Sequence, residues 1–313
     1  MSEKLLATRD AFGKALLHQG EANPELVVVS CDLCGATRTK KFGETFPERF
    51  FEVGIAEQNG IGIAAGLALG GLRPFITSFG AFISGRYDQI RISCAYNEAG
   101  VVIVGTHAGL AIGKDGATQM GLEDINIISG IPGIQIFQPA DTIETQKIVE
   151  YLAQGDQLAY LRLSRRPQPD VFDQDYQFQF NQPCRIREGQ DVCLIASGDM
   201  VYHSMKAADK LSGDGMEASV INVSTLKPMN TDAILKCVDE TKAIVVVEDH
   251  SIVGGLGSRI CEIVSEAGDS KRVLRHGVND CFGESGSPED LYRKHKLDAD
   301  GIYETVKSFI QSF

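Results

Sequence analysis

Short β-branched runs alternate with helical patterns along most of this 313-residue chain. The run Leu26–Ser30 (Leu-Val-Val-Val-Ser) is apolar at nearly every position, which is typical of a strand buried on both faces of a parallel sheet. Further strands are predicted at 50–53, 74–79, 101–105, 134–137 and 159–163. Helices are predicted at 5–19, 58–70, 87–96 and 142–153. This alternation predicts an α/β fold with a doubly wound, mainly parallel sheet.

The pattern breaks in the Pro-, Asp- and Gln-rich segment 167–183, which has the composition of a linker. A second α/β unit follows it. Its strands are predicted at 192–196, 218–223, 243–248 and 273–276, and its helices at 200–211 and 254–266. We therefore predict two doubly wound domains, residues 1–167 and 186–313, joined by a linker at 168–185.

The composition limits the class of protein. Apolar residues make up 43% and charged residues 23%, as in soluble globular proteins, and no run is long enough to span a membrane. A net charge of −12 argues against nucleic acid and anionic membranes as partners. The first twelve residues are charged and helical in pattern, unlike a signal peptide. Eight scattered cysteines suit reduced thiols and a cytoplasmic location; Cys31 and Cys34 lack the second pair of a zinc site.

Glu57 begins the predicted helix at the end of the run Gly-Ile-Ala-Glu-Gln. Gly60, Ala64 and Ala68 lie four residues apart on that helix and form a narrow stripe that another backbone could approach closely. We expect this stripe to pack against the same helix of a second copy of the chain. A carboxyl buried at the mouth of such a helix would tend to share a proton with a ligand. The alternative is a carboxylate that only stabilises the helix start.

Polar and aromatic residues follow three more of the predicted strands. His107 lies after a strand in a glycine-rich loop, where open α/β sheets place ligands, although a structural histidine is the alternative. Phe79 and Phe82 flank a glycine after another strand, and either core packing or ligand contact would explain them. Three arginines near a strand end are candidate anion ligands or a solvated charge run: Arg162, Arg165 and Arg166.

Taken together, these segments resemble the C-terminal part of transketolase over essentially the whole chain. The Gly-Ile-Ala-Glu-Gln run containing Glu57 is shared with other thiamine diphosphate enzymes, and the Thr-His-Ala-Gly-Leu and Lys-Asp-Gly-Ala-Thr runs around His107 and Asp115 favour transketolase among them. The resemblance also covers Ala-Thr-Arg-Asp-Ala-Phe-Gly near the start, Cys-Asp-Leu at 31–33, Pro-Gly at 132–133, Gln-Pro-Ala-Asp at 138–141 and Leu-Ser-Arg at 163–165.

The resemblance implies thiamine diphosphate as cofactor and a two-carbon ketol transfer from a ketose, phosphorylated in the usual case, to an aldose. The family's diphosphate- and Mg²⁺-binding motif is not recognised here: Gly213-Asp214-Gly215 has no asparagine at the required spacing. We therefore expect one subunit of a split enzyme, with Mg²⁺ ligands on an N-terminal transketolase subunit and none on this chain. Two copies of each subunit would give a heterotetramer.

The resemblance also implies roles for individual residues. Glu57 would hydrogen-bond N1′ of the cofactor's pyrimidine and promote loss of the C2 proton. The remaining residues match cofactor contacts (Asp32, Phe79 and Phe82), contacts to substrate hydroxyls and the sugar chain (His107 and Asp115), and contacts to the sugar phosphate (Arg9 and Arg165). Glu57 and His107 are the residues that we expect to be catalytic.

Two positions depart from the family pattern. Gln119 stands where a histidine is usual, and a glutamine can bind a donor ketose but cannot relay a proton. Ala36 stands where a phosphate-binding serine is usual. Both changes point to another ketose, with a different terminal group. The alternatives are the β subunit of a 2-oxoacid dehydrogenase, an enzyme like deoxyxylulose phosphate synthase, or a non-catalytic paralogue.

Overall fold

The computed structural model describes residues 5–312; residues 1–4, which belong to the segment judged unlike a signal peptide, and Phe313 lie outside the described residues. Twelve strands are described: β1 Leu26–Ser30, β2 Phe50–Glu52, β3 Arg73–Phe79, β4 Val102–Thr106, β5 Gln135–Phe137, β6 Ala159–Arg162, β7 Cys184–Arg187, β8 Val192–Ala196, β9 Ala218–Asn222, β10 Thr225–Lys227, β11 Ala243–Ser251 and β12 Arg272–Val278. They form a seven-stranded sheet in the order β10-β5-β6-β4-β3-β1-β2 and a five-stranded sheet in the order β12-β11-β8-β9-β7.

Twelve α-helices are described between the strands: α1 Thr8–Ala22, α2 Lys40–Thr45, α3 Glu57–Leu69, α4 Gly80–Ser84, α5 Tyr87–Gln89, α6 Asp124–Ser129, α7 Thr142–Gln154, α8 Met200–Gly213, α9 Thr231–Val238, α10 Leu256–Glu266, α11 Pro288–Lys294 and α12 Ala299–Ile310. Short 3₁₀ turns and one π-helix, Ile90–Tyr96, complete the structure. No helix within residues 5–312 is long and apolar enough to cross a membrane.

The predicted fold class is confirmed. Strands β1, β3 and β4 are buried along their whole length, as their continuous apolar runs predict, and they pair in parallel. Two short strands that the sequence analysis did not predict are antiparallel. The pair β7–β9 closes the edge of the second sheet, and β10 pairs with β5.

The strand β10 joins the two halves of the chain. It follows β9 of the second sheet after two residues, yet it forms the outer strand of the first sheet. The contact is extended by Gln138, whose backbone N–H donates to the carbonyl of Ser224 (2.8 Å). An apolar cluster containing Leu110 and Met120 from the first half and Val247 and Leu291 from the second reinforces it. The halves therefore meet through a shared sheet as well as a shared core.

Several predicted boundaries were wrong. Helix α1 begins at Thr8 and ends at Ala22, three residues later at each end than predicted. The segment predicted as one helix over 87–96 is a short α-turn followed by a π-helix. The segment between β6 and β7 has no regular helix or strand but is anchored: the backbone N–H groups of Val171 and Phe172 both donate to Asp141 Oδ2 (2.7 Å each).

The predicted packing stripe on α3 faces this chain's own sheet. Gly60 and Ala64 are buried, and a Cβ on Gly60 would lie 3.0 Å from Ile76 Cδ1. The exposed face of the helix carries Gly62 and Gly66 instead, where an added Cβ would meet no atom within 4 Å. The prediction that Gly60 and Ala64 contact another chain is therefore wrong, because one face of this small-residue helix is needed for its own core.

Candidate active site

The candidate site lies at the carboxyl edge of the first sheet, where the strand order reverses. Strand β1 has β2 on one side and β3 on the other, so the connections leave it in opposite directions. Open α/β sheets bind ligands at such a switch point. Asp32 follows β1, Phe79 ends β3 and His107 follows β4, so three of the predicted residues share this edge.

Glu57 is the first residue of α3 and only 6% exposed. Ser78, on β3, donates its hydroxyl to Glu57 Oε1 (2.8 Å). The second carboxyl oxygen, Oε2, has no hydrogen-bond partner described within residues 5–312. A buried carboxyl with one oxygen fixed and one available can bind a ligand that carries a ring nitrogen.

A glutamate that the sequence analysis missed supports this edge. Glu52 Oε1 accepts hydrogen bonds from the backbone N–H groups of Asp32 (2.7 Å) and Gly54 (3.0 Å). Asp32 has a φ of +59°, which non-glycine residues seldom adopt, and its side chain is exposed. Glu52 therefore holds the loops after β1 and β2 together and presents the Asp32 carboxylate outward.

Three rings stack in a row at the centre of the site. The Phe79 ring lies 5.4 Å from that of Phe82, with 18° between the planes, and 3.9 Å from that of His107, with 28° between the planes. Phe79 is buried and Phe82 is partly exposed. Such a stack presents a flat apolar surface that suits a planar heterocycle.

The contacts of His107 define its protonation. Arg9 Nη1 lies 2.6 Å from His107 Nε2 and can only donate, so Nε2 is the acceptor. His107 Nδ1 then carries the proton and donates to Thr106 Oγ1 (2.8 Å), which in turn donates to the Ser78 carbonyl (3.3 Å). Burial, reinforced by Arg9, Arg165 and Arg38, lowers the pKa of His107 to about 3. The imidazole is therefore neutral at ordinary pH.

Three arginines surround this histidine. Arg9 donates to the carbonyl of Ala36 (3.1 Å), and burial, followed by the charge of Arg38, lowers the pKa of Arg9 to about 10. Arg165 pairs with Asp115 (2.8 Å), and both side chains are more than a third exposed. The Nε of Arg9 is buried without a partner within the described residues. Arg9 has no carboxylate partner among the described residues, and Arg165 remains partly exposed, so the cluster can still accept an anion.

Arg38 was missed by the sequence analysis because it belongs to no motif. It has a φ of +67°, its Nε donates to Asp10 Oδ1 (2.6 Å), and its terminal nitrogens make no hydrogen bond within residues 5–312. A groove of about 880 Å³ beside it is also lined by Lys14, Lys40 and Lys41. This acidic protein therefore has a local basic surface around Arg38.

The remaining predicted residues are more loosely connected. Gln119 lies in a short 3₁₀ turn and is half-buried, and its side-chain amide makes no hydrogen bond within residues 5–312. Arg162, considered as an anion ligand, is buried in an ion pair with Asp124 (2.9 Å), and Arg166 contacts His203. Of the three arginines near β6, Arg165 alone joins the cluster around His107. No group of three potential metal ligands occurs among the described residues.

Two family models match the chain. Residues 4–169 match the transketolase pyrimidine-binding domain, and residues 184–302 match the transketolase C-terminal domain. The chain belongs to the transketolase family, as the resemblance of its motifs predicts.

Relatives of similar length support this assignment. The chain is 37% identical over 295 residues to the 6-deoxy-6-sulfo-D-fructose transketolase subunit SqwH of Clostridium sp. strain MSTE9, covering 94% of this chain and 91% of that protein. It is 33% identical over 313 residues to one of the subunits of the apulose-4-phosphate transketolase of Phocaeicola vulgatus, covering 99% and 100%. A solved structure described as a split-gene transketolase, an inactive beta4 tetramer, matches with a TM-score of 0.88 and 37% identity, covering 98% and 99%. This chain is accordingly a transketolase-type transferase subunit.

Proposed function

We propose that this chain, together with a partner subunit, transfers a two-carbon ketol unit from a ketose with an anionic end group to an aldose. The observation that carries the proposal is that buried Glu57, with its Oε2 unbonded among the described residues, and the stacked rings of Phe79 and His107 lie at the same edge of the first sheet. Two statements stay predictions from the sequence. One is the cytoplasmic location, and the other is the division into a first domain, a linker and a second domain at residues 1–167, 168–185 and 186–313.

The residues at this edge fit thiamine diphosphate, the cofactor on which the family depends. When bound, the cofactor supplies the nucleophilic carbon that accepts the two-carbon unit. Glu57 Oε2 would hold a proton at N1′ of the pyrimidine, Phe79 and Phe82 would pack against the ring, and the exposed Asp32 would lie close to it. We propose that the partner subunit supplies the Mg²⁺ and diphosphate ligands.

His107 and the arginines would bind the donor sugar. Neutral His107 can exchange its bond with Arg9 for one with a substrate hydroxyl, and Asp115 can accept a hydrogen bond from the sugar chain. Gln119 has a free amide that can bind a hydroxyl without moving a proton. His107 and Gln119 would therefore recognise the sugar through neutral hydrogen bonds, and Asp115 through a charged acceptor.

The charged end of the donor would lie among Arg9, Arg38 and Arg165. Two relatives are described as acting on sugars with a sulfonate or a phosphate group, and both groups are tetrahedral anions. At Ala36 the chain offers only a backbone carbonyl, already bonded to Arg9, and no hydroxyl. Guanidinium groups would therefore provide most of the recognition of the anion.

Reconstitution tests this proposal. The chain is mixed with a partner subunit that carries the diphosphate-binding domain, thiamine diphosphate and Mg²⁺, and cleavage of sugar phosphates and sugar sulfonates is measured. We expect activity only with both subunits, and only with donors that carry an anionic end. Ketol transfer by a verified preparation of this chain alone would disprove the need for a partner, and equal rates with neutral-ended donors would disprove the anion site.

A further inference from the structure

The second sheet has its own switch point, and the described residues leave only a small cavity there. Strand β8 lies between β9 and β11, so the connections again leave it in opposite directions. Asp199 follows β8 by three residues, and Asp249 lies two residues beyond the last β8–β11 pair, Val247–Ala196. Both carboxyl groups are only 4% exposed. The position that usually receives a ligand is thus lined by two buried acids.

A loop of the first half of the chain fills this position. The backbone N–H of Leu110 donates to Asp249 Oδ1 (2.9 Å), and a Cβ on Gly109 would lie 2.2 Å from Asp249 Oδ2. The cavity left beside Ala108 and the two acids is about 10 Å³, room for no more than about one water. The loop is the one that begins at His107, so the second half of the chain directly holds the segment that follows the histidine.

Asp199 makes the second connection. It occupies the N-cap position of α8, yet its side chain caps no helix N–H. Instead its Oδ2 accepts the hydroxyl proton of Ser164 (2.7 Å), and Ser164 Oγ accepts the backbone N–H of Arg166 (3.1 Å). These bonds hold the two neighbours of Arg165 in the chain. Asp199 therefore fixes the segment that carries Arg165 instead of capping its own helix.

One tyrosine joins the two acids. The Tyr292 hydroxyl, buried on α11, lies 2.9 Å from Asp249 Oδ2 and 3.4 Å from Asp199 Oδ2. Because both oxygens contact the same hydroxyl, displacement of either acid is transmitted to the other. His107 has a φ of +58°, and such a conformation persists only where its surroundings impose it.

We propose that Tyr292, Asp199 and Asp249 form a positioning device by which the second half of the chain sets the donor-sugar site without touching the sugar. Asp249 fixes the loop between His107 and Asp115, Asp199 fixes the segment of Arg165, and Tyr292 keeps the two in register. The inference rests on the proposed function only for the identity of the ligand that these residues bind.

Hydrogen–deuterium exchange on the full chain tests the device without the need for activity. Asp249→Ala removes the acceptor of the Leu110 N–H, so segment 108–116 should lose protection, whereas Asp249→Asn keeps an acceptor and should restore it. Tyr292→Phe should raise exchange in both 108–116 and 163–166. If Asp249→Ala fails to fold, this variant tests the same proposal. The control is Tyr303→Phe, which removes a tyrosine–carboxylate bond to Asp214, outside both segments.

Kinetics of the reconstituted complex provide the second measurement. Tyr292→Phe should raise the donor KM roughly tenfold or more, as expected for misplaced binding groups, with a smaller change in kcat. Tyr303→Phe should change neither. If Asp249→Ala and Tyr292→Phe leave exchange and donor KM as they are in Tyr303→Phe, the positioning device does not exist. If exchange rises but no donor is processed, the device stands and the proposed function fails.

Discussion

At the switch point of the first sheet the carboxyl groups of Asp32 and Glu57 are available to a ligand, whereas the two acids at the switch point of the second sheet, Asp199 and Asp249, are bonded within the protein. Glu57 keeps one oxygen without a partner in the described residues and Asp32 is exposed. Asp199 and Asp249 are almost wholly buried and bonded to other parts of the chain. Both groups lie at a switch point of the same type of sheet. Topology therefore marks a place where polar residues converge, and only the contacts distinguish ligand binding from domain contact.

Replacing Glu57 tests the first half of this comparison. Glu57→Gln keeps an acceptor for the Ser78 hydroxyl but cannot hold the proton at N1′ of the cofactor. Hydrogen–deuterium exchange at C2 of the cofactor in the reconstituted complex should slow by roughly 10²–10⁴-fold, the usual contribution of a positioned acid–base group. The melting temperature should change little, because the side chain keeps its shape.

Glu44→Gln is the matched control, since Glu44 is an exposed glutamate on α2. It should leave C2 exchange unchanged. Equal exchange rates in the wild-type protein and Glu57→Gln would show that Glu57 only stabilises the start of α3, and the contrast between the two sheet edges would then be lost.

Replacing Asp199 tests the second half. Burial, followed by the charge of Asp249, raises the pKa of Asp199 to about 6, against about 3.9 in an unfolded chain. The unfolded state therefore ionises first, and stability present below pH 4 is lost as the pH rises to about 6. Asp199→Asn does not ionise, and its amide oxygen can still accept the Ser164 hydroxyl.

The free energy of unfolding of Asp199→Asn relative to wild type should therefore rise between pH 4 and pH 7 by on the order of 2–3 kcal/mol. Urea unfolding at several pH values measures it. The C2 exchange rate should not change, which is the reverse of the Glu57 result. A stability difference that is flat with pH would mean that the Asp199 carboxyl ionises as freely in the folded chain as in the unfolded one.

The sequence predicted the strands of both sheets because a buried parallel strand needs a continuous apolar run, as in β1, β4 and β11. It missed β7 and β10, two short edge strands that carry no such signal. The sequence also identified three site residues, because each lies in a family motif that directly follows a strand: Asp32, Glu57 and His107. The predicted roles of these residues remain to be tested.

Other features depend on contacts that the sequence does not contain. Asp249 bonds Leu110, 139 residues away, and Arg38 reaches the histidine region through a folded loop. The face of α3 was misassigned because Gly60 and Ala64 have the same spacing as Gly62 and Gly66. Periodicity identifies two small-residue faces on this helix but does not show which of them covers the chain's own sheet.

The two faces of α3 give the third prediction. Gly66→Leu places a large side chain on the exposed face, so it should weaken association with a second copy by about 1–3 kcal/mol through overpacking and leave folding intact. Ala64→Leu should instead destabilise the monomer fold, because Ala64 is buried in its own core. Sedimentation and thermal melting separate the two effects.

Ser265→Leu provides the control on an exposed face of α10 in the second half of the chain. It should change neither association nor stability substantially. If Gly66→Leu associates like the wild-type protein, this face of α3 is not an interface between copies. Near the first sheet edge, only the candidate site would then be expected to bind another molecule.

The smallest expected effect concerns Arg38, whose terminal nitrogens have no partner within residues 5–312. Arg38→Met keeps the length of the apolar stem but cannot bind an anion. The donor KM for a phosphate- or sulfonate-ended sugar should rise roughly threefold to fivefold, the size expected when one exposed charge–charge contact is lost.

Arg293→Met is the control, since Arg293 is an exposed arginine that pairs with Asp290 in the second half of the chain. A neutral-ended donor, if processed at all, should show the same KM in both variants. An equal change for anionic and neutral donors would mean that Arg38 supports the loop rather than the anion. The first sheet edge would then have two arginines that select the donor, with Arg38 joining Asp199 and Asp249 among the residues that only hold the site in place.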